Sequence, residues 1–166
     1  NAGVNAASCA SFAQDEEWSY LVTAYLAVNS NEKILAVDGE KVEVVNYNAS
    51  SDVALLRTRK DFASYVPLAR REAEIGNIVI GCGISPHIGK VLSRGAIIGK
   101  FNDAYLTDGH VDYGFSGGGF YVFENGNPRL LGVALFKSKD GIISGISSVH
   151  VLRKLVKDAG LEGKLR

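Results

Sequence analysis

The sequence predicts an all-β protein built from antiparallel strands, with a single helix near the C-terminal end. Nineteen glycines and only three prolines punctuate many short segments of β-branched or alternating apolar residues, a spacing typical of a sandwich or barrel. The segments are YLVTA, KILAV, KVEVVN, DVALLRT, NIVIGCG, KVLSRGAIIG, GFYVFE, LLGVALF and GIISGIS. Asn125-Gly126 lies between GFYVFE and PRLLGVALF. Because both residues tolerate a positive φ, this dipeptide predicts a hairpin between antiparallel neighbours.

The predicted helix covers about residues 148–159. Ser147 or Ser148 can cap its first turn, and Gly160 can end it. Its apolar residues recur at helical spacing on one face, and they are Val149, Leu152, Leu155, Val156 and Ala159. Such a face predicts that the helix packs on the barrel.

The length of 166 residues fits one domain, or two small lobes that share an interface, and allows a sizeable core. The stretch RTRKDFASYVPLARREAEIGN is charged and lacks apolar periodicity, which predicts a surface connection over about 58–75. The sequence therefore divides into a predicted N-terminal barrel over about 8–60 and a C-terminal barrel over about 76–146.

Charge and hydropathy exclude several classes of partner. Eighteen basic and eighteen acidic residues cancel, so the net charge favours neither nucleic acid nor an acidic membrane surface. No apolar run approaches the ~20 residues that a membrane span needs, and the start NAGVNAASCASFA lacks the basic and apolar regions of a signal peptide. We therefore expect a soluble chain without a membrane span.

Cys9 and Cys82 are the two cysteines of the chain, and they form neither a disulfide framework nor a metal-ligand cluster. Two buried thiols are expected rather than a bridge, and no metal or cofactor is predicted. Scarce cysteines fit an intracellular or virus-encoded protein, although a secreted chain stays open.

The stretch GFSGGG places Ser116 between glycines. Glycines let the backbone bend so that neighbouring N–H groups converge on the oxygen of a tetrahedral intermediate while a serine Oγ faces the substrate carbonyl. Ser116 would be the nucleophile, and the N–H groups of Gly114 and Ser116 the oxyanion donors. A glycine-rich β-turn that happens to contain serine is the alternative.

Asp52 heads an apolar strand, either as a turn residue or as an inward carboxylate that needs a hydrogen-bonding partner.

Three motifs, taken in order, resemble the trypsin-like (chymotrypsin-fold) serine peptidases, particularly their compact HtrA-like and viral branches. VTAYL at 22–26 is similar to the family's V-T-A-x-H, DVALL at 52–56 to its D-[IV]-A-L-L, and GFSGG at 114–118 to its G-x-S-G-G. The entry PLARREAEIGNIVIGCG, the hairpin VLSRGAIIG and the strand LLGVALF resemble further family features. The resemblance covers about residues 8–157. It implies a two-lobed antiparallel β-barrel with a substrate cleft between the lobes.

Three positions depart from the family pattern. Leu26 stands where the general base should be, and leucine can neither take the proton of the serine nor return one to the leaving amine. Phe115 replaces an aspartate that pairs with a newly cut N-terminus in secreted members, so activation by that salt bridge is not expected. Gly119 replaces the usual proline and loosens the turn.

The resemblance implies a role for each remaining site residue. Ser116 attacks the peptide carbonyl, Asp52 orients the histidine that is missing at Leu26, and an extended polypeptide is the substrate. The edge that pairs with this substrate is implied at Leu135, Phe136 and Lys137. His110 corresponds to the base of the specificity pocket, where its ring either hydrogen-bonds the side chain before the scissile bond or fills the pocket floor.

The other two histidines have simpler interpretations. His87 falls in a loop by composition, and His150 on the helix is expected at the surface or in an interface rather than in catalysis.

Leu26 has two competing explanations: an inactivated variant of a working serine endopeptidase, or a natural pseudo-protease that keeps the cleft for binding peptides. The retention of Ser116 and Asp52 favours the first, because a binding module has no chemical need for a buried aspartate without an imidazole partner. A plain β-barrel interaction module would require the ordered motifs to be coincidental. The sequence does not indicate the oligomeric state.

Overall fold

The computed structural model describes residues 7–29, 36–62, 64–85, 88–112 and 114–163. Its N-terminal strands are β1 (Ala10–Gln14), β2 (Ser19–Ala24), β3 (Ala36–Val37), β4 (Glu40–Asn48) and β5 (Val53–Thr58). The later strands are β6 (Ile78–Ser85), β7 (Gly89–Phe101), β8 (Ala104–Thr107), β9 (Gly119–Glu124), β10 (Asn127–Lys137) and β11 (Ser144–Ser147), followed by helix α1 (Val149–Asp158). A 3-10 turn, Tyr25–Ala27, follows β2 directly.

The N-terminal strands form an antiparallel half-barrel with the order β1-β2-β5-β4-β3. Within the described residues its two edges are not joined, because β1 pairs with β2 alone and the two-residue β3 pairs with β4 alone. Of the predicted segment KILAV, only Ala36 and Val37 belong to the described part of the chain.

Strands β2 and β5, which are neighbours in this sheet, are buried on both faces, and this burial explains their unbroken apolar runs. On one face, Val22, Val53 and Leu55 join a core cluster with residues of α1 and β10. On the other face, Leu21, Ala54 and Leu56 form a separate cluster inside the half-barrel. Alternate side chains of a strand point to opposite faces, so one short segment serves two cores.

The C-terminal strands close into a barrel with the order β10-β11-β8-β7-β6-β9. The predicted hairpin at Asn125-Gly126 is confirmed: β9 and β10 are antiparallel, and the two turn residues have φ values of 52° and 80°. Phe120, Ile97 and Tyr105 are among the fully buried side chains of the barrel core.

Helix α1 covers Val149–Asp158, with Ser148 and Ala159 as its capping residues. The Ser148 hydroxyl caps it by accepting from the N–H of Val151 over 3.3 Å, and Gly160 follows the C-terminal cap with a φ of 75°. Its buried face packs on the half-barrel and on β10, as the apolar pattern predicts.

The connection between the lobes is attached to both of them: the N–H of Val66 donates to the carbonyl of Ser11 on β1 over 3.2 Å, and the following residues bond to β10. The N–H of Leu130 donates to the carbonyl of Pro67 over 2.7 Å, and the N–H of Ala69 donates to the carbonyl of Leu130 over 2.8 Å. Ala69 and Ala73 are fully buried, so this charged stretch also contributes small apolar residues to the core.

Both cysteines are free, as expected, but each is only partly buried, whereas the sequence predicts buried thiols. Within the described ranges, no helix is long and apolar enough to span a membrane. The same ranges contain no cluster of histidine, cysteine and acidic side chains that could hold a metal ion.

Candidate active site

The loop that carries Ser116 is fixed in the barrel by the residue before it. Phe115 is 1% exposed, and its ring lies against Gly83 so closely that a Cβ there would come within 2.7 Å of it. The ring also contacts Phe120, with ring centroids 5.9 Å apart. The phenylalanine that departs from the family pattern is therefore a core anchor for the loop.

Two hydrogen bonds within the loop shape the turn around Ser116. The N–H of Phe115 donates to the carbonyl of Asp112 over 3.0 Å, and the N–H of Gly118 donates to the carbonyl of Phe115 over 2.8 Å. Gly114 and Gly117 both have a φ of 87°, a left-handed conformation that glycine adopts without steric cost. The glycines that flank Ser116 therefore allow the tight bend that the sequence predicts.

Ser8 joins this loop to the N-terminal lobe. Its N–H donates to the carbonyl of Ser116 over 2.9 Å, and its hydroxyl donates to the carbonyl of Gly114 over 2.9 Å. The same hydroxyl accepts from the N–H of Ile84, and the carbonyl of Ser8 accepts from the Thr23 hydroxyl over 2.7 Å. Sequence reasoning missed Ser8, because a serine in a run of small residues carries no local signal of contacts so far along the chain.

Gly117 brings the serine loop against the end of β2. A Cβ on this glycine would lie 2.1 Å from the Ser8 carbonyl oxygen, 2.2 Å from Thr23 Oγ1 and 3.2 Å from the Ala24 nitrogen. The 3-10 turn that contains Leu26 begins at the next residue after Ala24. The loop with Ser116 and the turn with Leu26 are therefore neighbours, and Leu26 is 72% exposed rather than part of a lobe core.

Asp52 holds the turn that carries Leu26. The N–H of Leu26 donates to Oδ1 of Asp52 over 2.9 Å, and the N–H of Tyr25 donates to the Asp52 carbonyl over 2.9 Å. Partial burial raises the pKa of the Asp52 carboxyl, and the bonds from Leu26 and Tyr25 oppose that rise. The pairing of Ala24 with Val53 places Asp52 at the matching end of the adjacent strand.

The donors expected for an oxyanion belong to Gly114 and Ser116. In the part of the chain that the structure describes, neither N–H has a hydrogen-bond acceptor, whereas both carbonyl groups accept from Ser8. Unpaired donors beside a serine hydroxyl are the arrangement that stabilises a developing negative charge.

The predicted substrate edge lies next to the serine loop. On one side, Phe136 and Lys137 pair with Gly145 and Ser144 of β11. On the other side, the pairing of β10 with β9 ends at Val133. The serine loop then takes over from β9: the N–H of Ala134 donates to the carbonyl of Gly118, and the N–H of Gly117 donates to the carbonyl of Ala134.

Beyond Ala134, no described strand pairs with that side of β10. Leu135 is half-buried, Phe136 is 43% exposed and Lys137 is exposed. This short open edge thus begins where the loop of Ser116 ends.

The histidines lie at different places. His110 is exposed between the buried residues Gly109 and Val111, so its ring is accessible to a ligand. His150 is exposed in the first turn of α1, where its N–H donates to a Glu72 carboxylate oxygen over 3.2 Å. His87 lies outside the described residues.

No protein-family model matches the chain. The serine endoprotease DegS of Haemophilus influenzae is 24% identical over 163 residues, in a match that covers 83% of this chain and 47% of that protein. The chain thus spans about half the length of this curated relative.

Solved structures extend the comparison. The serine endoprotease from Yersinia pestis superposes with a TM-score of 0.77 at 18% identity, over 99% of this chain and 61% of that one. The HtrA-type protease AlgW, solved with a decapeptide, gives a TM-score of 0.75 at 20% identity, over 95% of this chain and 52% of that one. The chain therefore has the trypsin-like serine protease fold, as its HtrA-type structural neighbours do.

Proposed function

We propose that this chain is a serine endopeptidase domain of the trypsin-like type whose peptide-bond hydrolysis is strongly impaired because Leu26 occupies the position of the general base. The observation that carries the proposal is the contact of Gly117 with Thr23 and Ala24, which sets the Ser116 loop beside the turn of Leu26. Asp52 binds the backbone of that same turn. These two contacts support the assignment of nucleophile, base position and carboxylate to one junction of the two lobes.

In this assignment, Ser116 Oγ attacks the peptide carbonyl and the oxyanion accepts from the N–H groups of Gly114 and Ser116. The attack requires a base to take the hydroxyl proton and later to give it to the leaving amine. Leu26 offers no atom for this transfer. Loss of the base in such a triad costs on the order of a million-fold in turnover, which leaves residual catalysis from the oxyanion donors.

The substrate in this proposal is a polypeptide in extended conformation. The open edge at Leu135, Phe136 and Lys137 offers backbone groups to such a chain, in the manner of an added β-strand. Its closeness to Ser116 supports the edge as the place where a peptide lies during attack. His110 contacts the side chain before the scissile bond, a role that its exposure permits.

A second candidate function, a pseudo-protease that binds peptides without cutting them, is favoured by one observation. The bond from the Leu26 N–H to Asp52 gives the carboxylate a structural partner in the absence of an imidazole. Both the endopeptidase and the pseudo-protease therefore explain why Asp52 is retained. The cost of burying its carboxylate does not distinguish these two functions. The natural codon for residue 26 distinguishes an inactivated variant from a natural pseudo-protease.

The decisive experiment restores the base. Leu26→His is compared with Leu26→His/Ser116→Ala, using a serine-directed fluorophosphonate probe and a broad peptide library. Leu92→His is the matched control, because Leu92 is 71% exposed on β7 and Leu26 is 72% exposed. We expect labelling and cleavage in Leu26→His alone. A folded Leu26→His protein that neither labels nor cleaves, but binds library peptides, would overturn the endopeptidase assignment in favour of the pseudo-protease.

A further inference from the structure

A second concave site lies away from Ser116. An open cavity of about 770 Å³ is lined by residues of β1, the connection between the lobes, β10, α1 and the segment after α1, and none of its lining residues belongs to the proposed active site. Its volume falls in the range of about 300–1,000 Å³ that small-molecule sites occupy. The apolar part of its lining consists of Phe12, Ala13, Pro67, Leu68, Val156 and Leu161.

The polar part of the lining is predominantly cationic. On α1, Lys157 lies three residues after Lys154 and four after Arg153, so both are its neighbours on the helix surface. Arg70 and Arg129 also line the cavity. Two acidic residues share the lining, Asp158 and Glu162. Asp158 is already engaged, because Lys154 Nζ lies 2.8 Å from its carboxylate. The cations therefore outnumber the anions that could neutralise them.

Arg129 is the residue that points most directly to a missing partner. Its Nε is buried and makes no hydrogen bond, and the nearest carboxylate oxygen of Glu124 is 3.8 Å away. Glu124 is occupied by other donors, since its two oxygens accept from the N–H groups of Arg70 and Arg71 over 3.0–3.2 Å. Glu124 is thus shared among several donors and lies beyond hydrogen-bond distance of Nε, so the positive charge of Arg129, whose side chain is 20% exposed and lines the cavity, is incompletely neutralised.

We propose that this cavity binds a small amphiphile, a molecule with one anionic head group on an apolar body. The head group accepts from the Arg129 guanidinium and is attracted by Arg70 and Lys157, because charge-assisted bonds of this kind are the stronger class. The apolar body packs on Phe12, Leu68 and the neighbouring apolar lining. A carboxylate and a phosphate ester share this chemistry, whereas a cationic amphiphile of the same length lacks it.

The proposal is tested by isothermal titration calorimetry on the full chain. Decanoate, decyl phosphate and decyltrimethylammonium are titrated below their micellar concentrations. We expect saturable binding of one molecule of an anionic probe and no saturable binding of the cationic probe. The relative affinities of decanoate and decyl phosphate identify the preferred head group.

Two variants assign the binding to this cavity. Arg129→Met removes the guanidinium of Arg129, and Arg70→Gln/Lys157→Gln removes two exposed cations without touching the core. We expect Arg129→Met to weaken binding of the anionic probe at least about tenfold, as loss of a hydrogen bond to a charged group does. Loss of the two exposed cations should weaken binding by a smaller factor, about twofold to fivefold. Lys90→Gln/Arg94→Gln on β7, outside the lining, is the matched control and should leave the affinity unchanged.

Three results would overturn the proposal: no saturable binding of either anion, equal binding of the cationic probe, or unchanged affinity in the folded Arg70→Gln/Lys157→Gln variant. If Arg129→Met fails to fold, the surface double variant still decides the outcome. No proteolysis is measured, so the result is independent of the Leu26→His experiment.

Discussion

The backbone N–H of Leu26 lies 2.9 Å from Oδ1 of Asp52 and donates a hydrogen bond to it. The carboxylate therefore binds the main chain of the very residue whose side chain it would orient in a complete triad. This bond depends on the position of the turn and not on the identity of side chain 26. A histidine placed at 26 would start from a backbone that is already held.

In Leu26→His, peptide hydrolysis should rise with pH as the imidazole loses its proton. The reference pKa of histidine is about 6.5, and the negative charge of Asp52 raises it, because an adjacent carboxylate favours the imidazolium. The base acts in its neutral form, so kcat/KM should increase across the interval between about pH 5 and 8. Rates of peptide cleavage at fixed ionic strength measure this profile, and a flat profile would contradict the assignment of residue 26 as base.

Asp52→Asn should change the pH dependence of stability. The folded-state pKa of Asp52 is raised above its ordinary value of 3.8, chiefly by burial, so the folded protein binds this proton more tightly than the unfolded chain. Stability from this group is therefore present at low pH and is lost as pH rises from the unfolded pKa through the folded pKa.

Relative to Asp52→Asn, the protein with Asp52 should lose free energy of unfolding across that window. Urea denaturation of both proteins at a series of pH values measures the difference. A gain in stability of the Asp52 protein over the same window would show that its folded-state pKa is lowered instead.

Gly117→Ala should destabilise the protein by at least about 2 kcal/mol, because it combines a left-handed φ with overpacking. The new Cβ would meet the Ser8 carbonyl and the Thr23 hydroxyl. Gly126→Ala is the matched control, because its φ is 80° and a Cβ added there would have no atom within 4 Å. Chemical denaturation should show a clearly smaller loss for Gly126→Ala, and equal losses would mean that the contact with β2 is not restrictive.

Ser8→Ala should cost about 1–3 kcal/mol of stability, because it leaves the Ile84 N–H and the Gly114 carbonyl without a partner. In the Leu26→His background, Ser8→Ala should also slow fluorophosphonate labelling, since the carbonyl of Gly114 loses its hydrogen bond from the Ser8 hydroxyl. Ser50→Ala removes an exposed hydroxyl bonded to Asn48 and serves as the control. If Ser8→Ala loses the expected stability but is labelled at an unchanged rate, Ser8 has a structural role only.

The sequence predicts those features of the fold that depend on local pattern. The Asn125-Gly126 hairpin, the Ser148 cap and the apolar strand β5 each carry their signal within a few residues, and the structure has all three. The local pattern predicts neither β1 nor β8. The segment ASFAQ has no β-branched residue, and AYLT is only four residues long, so both depend on pairing with neighbours that a local pattern does not reveal.

The candidate site divides in the same way. Motifs mark Ser116, Asp52 and Leu26, because each lies in a stretch with its own turn or strand signal. The hydrogen bonds of Ser8 and the lack of space for a side chain at Gly117 depend on contacts between segments that are far apart in sequence. No local sequence pattern indicates such contacts. The proposed amphiphile cavity is of this second kind, since its lining comes from β1, the connection, β10 and α1.

The junction at Ser8 also constrains the order in which the protein can assemble. Ser8 and Gly114 are 106 positions apart, so their bond closes a loop that contains the whole half-barrel and three of the six strands of the C-terminal barrel. Contacts of such long range form only after the intervening chain has lost most of its freedom. During synthesis, Ser8 emerges from the ribosome long before the serine loop exists. The hydrogen bonds between Ser8 and the serine loop therefore form only when the later barrel closes, and the proposed peptide site is completed among the last steps of folding.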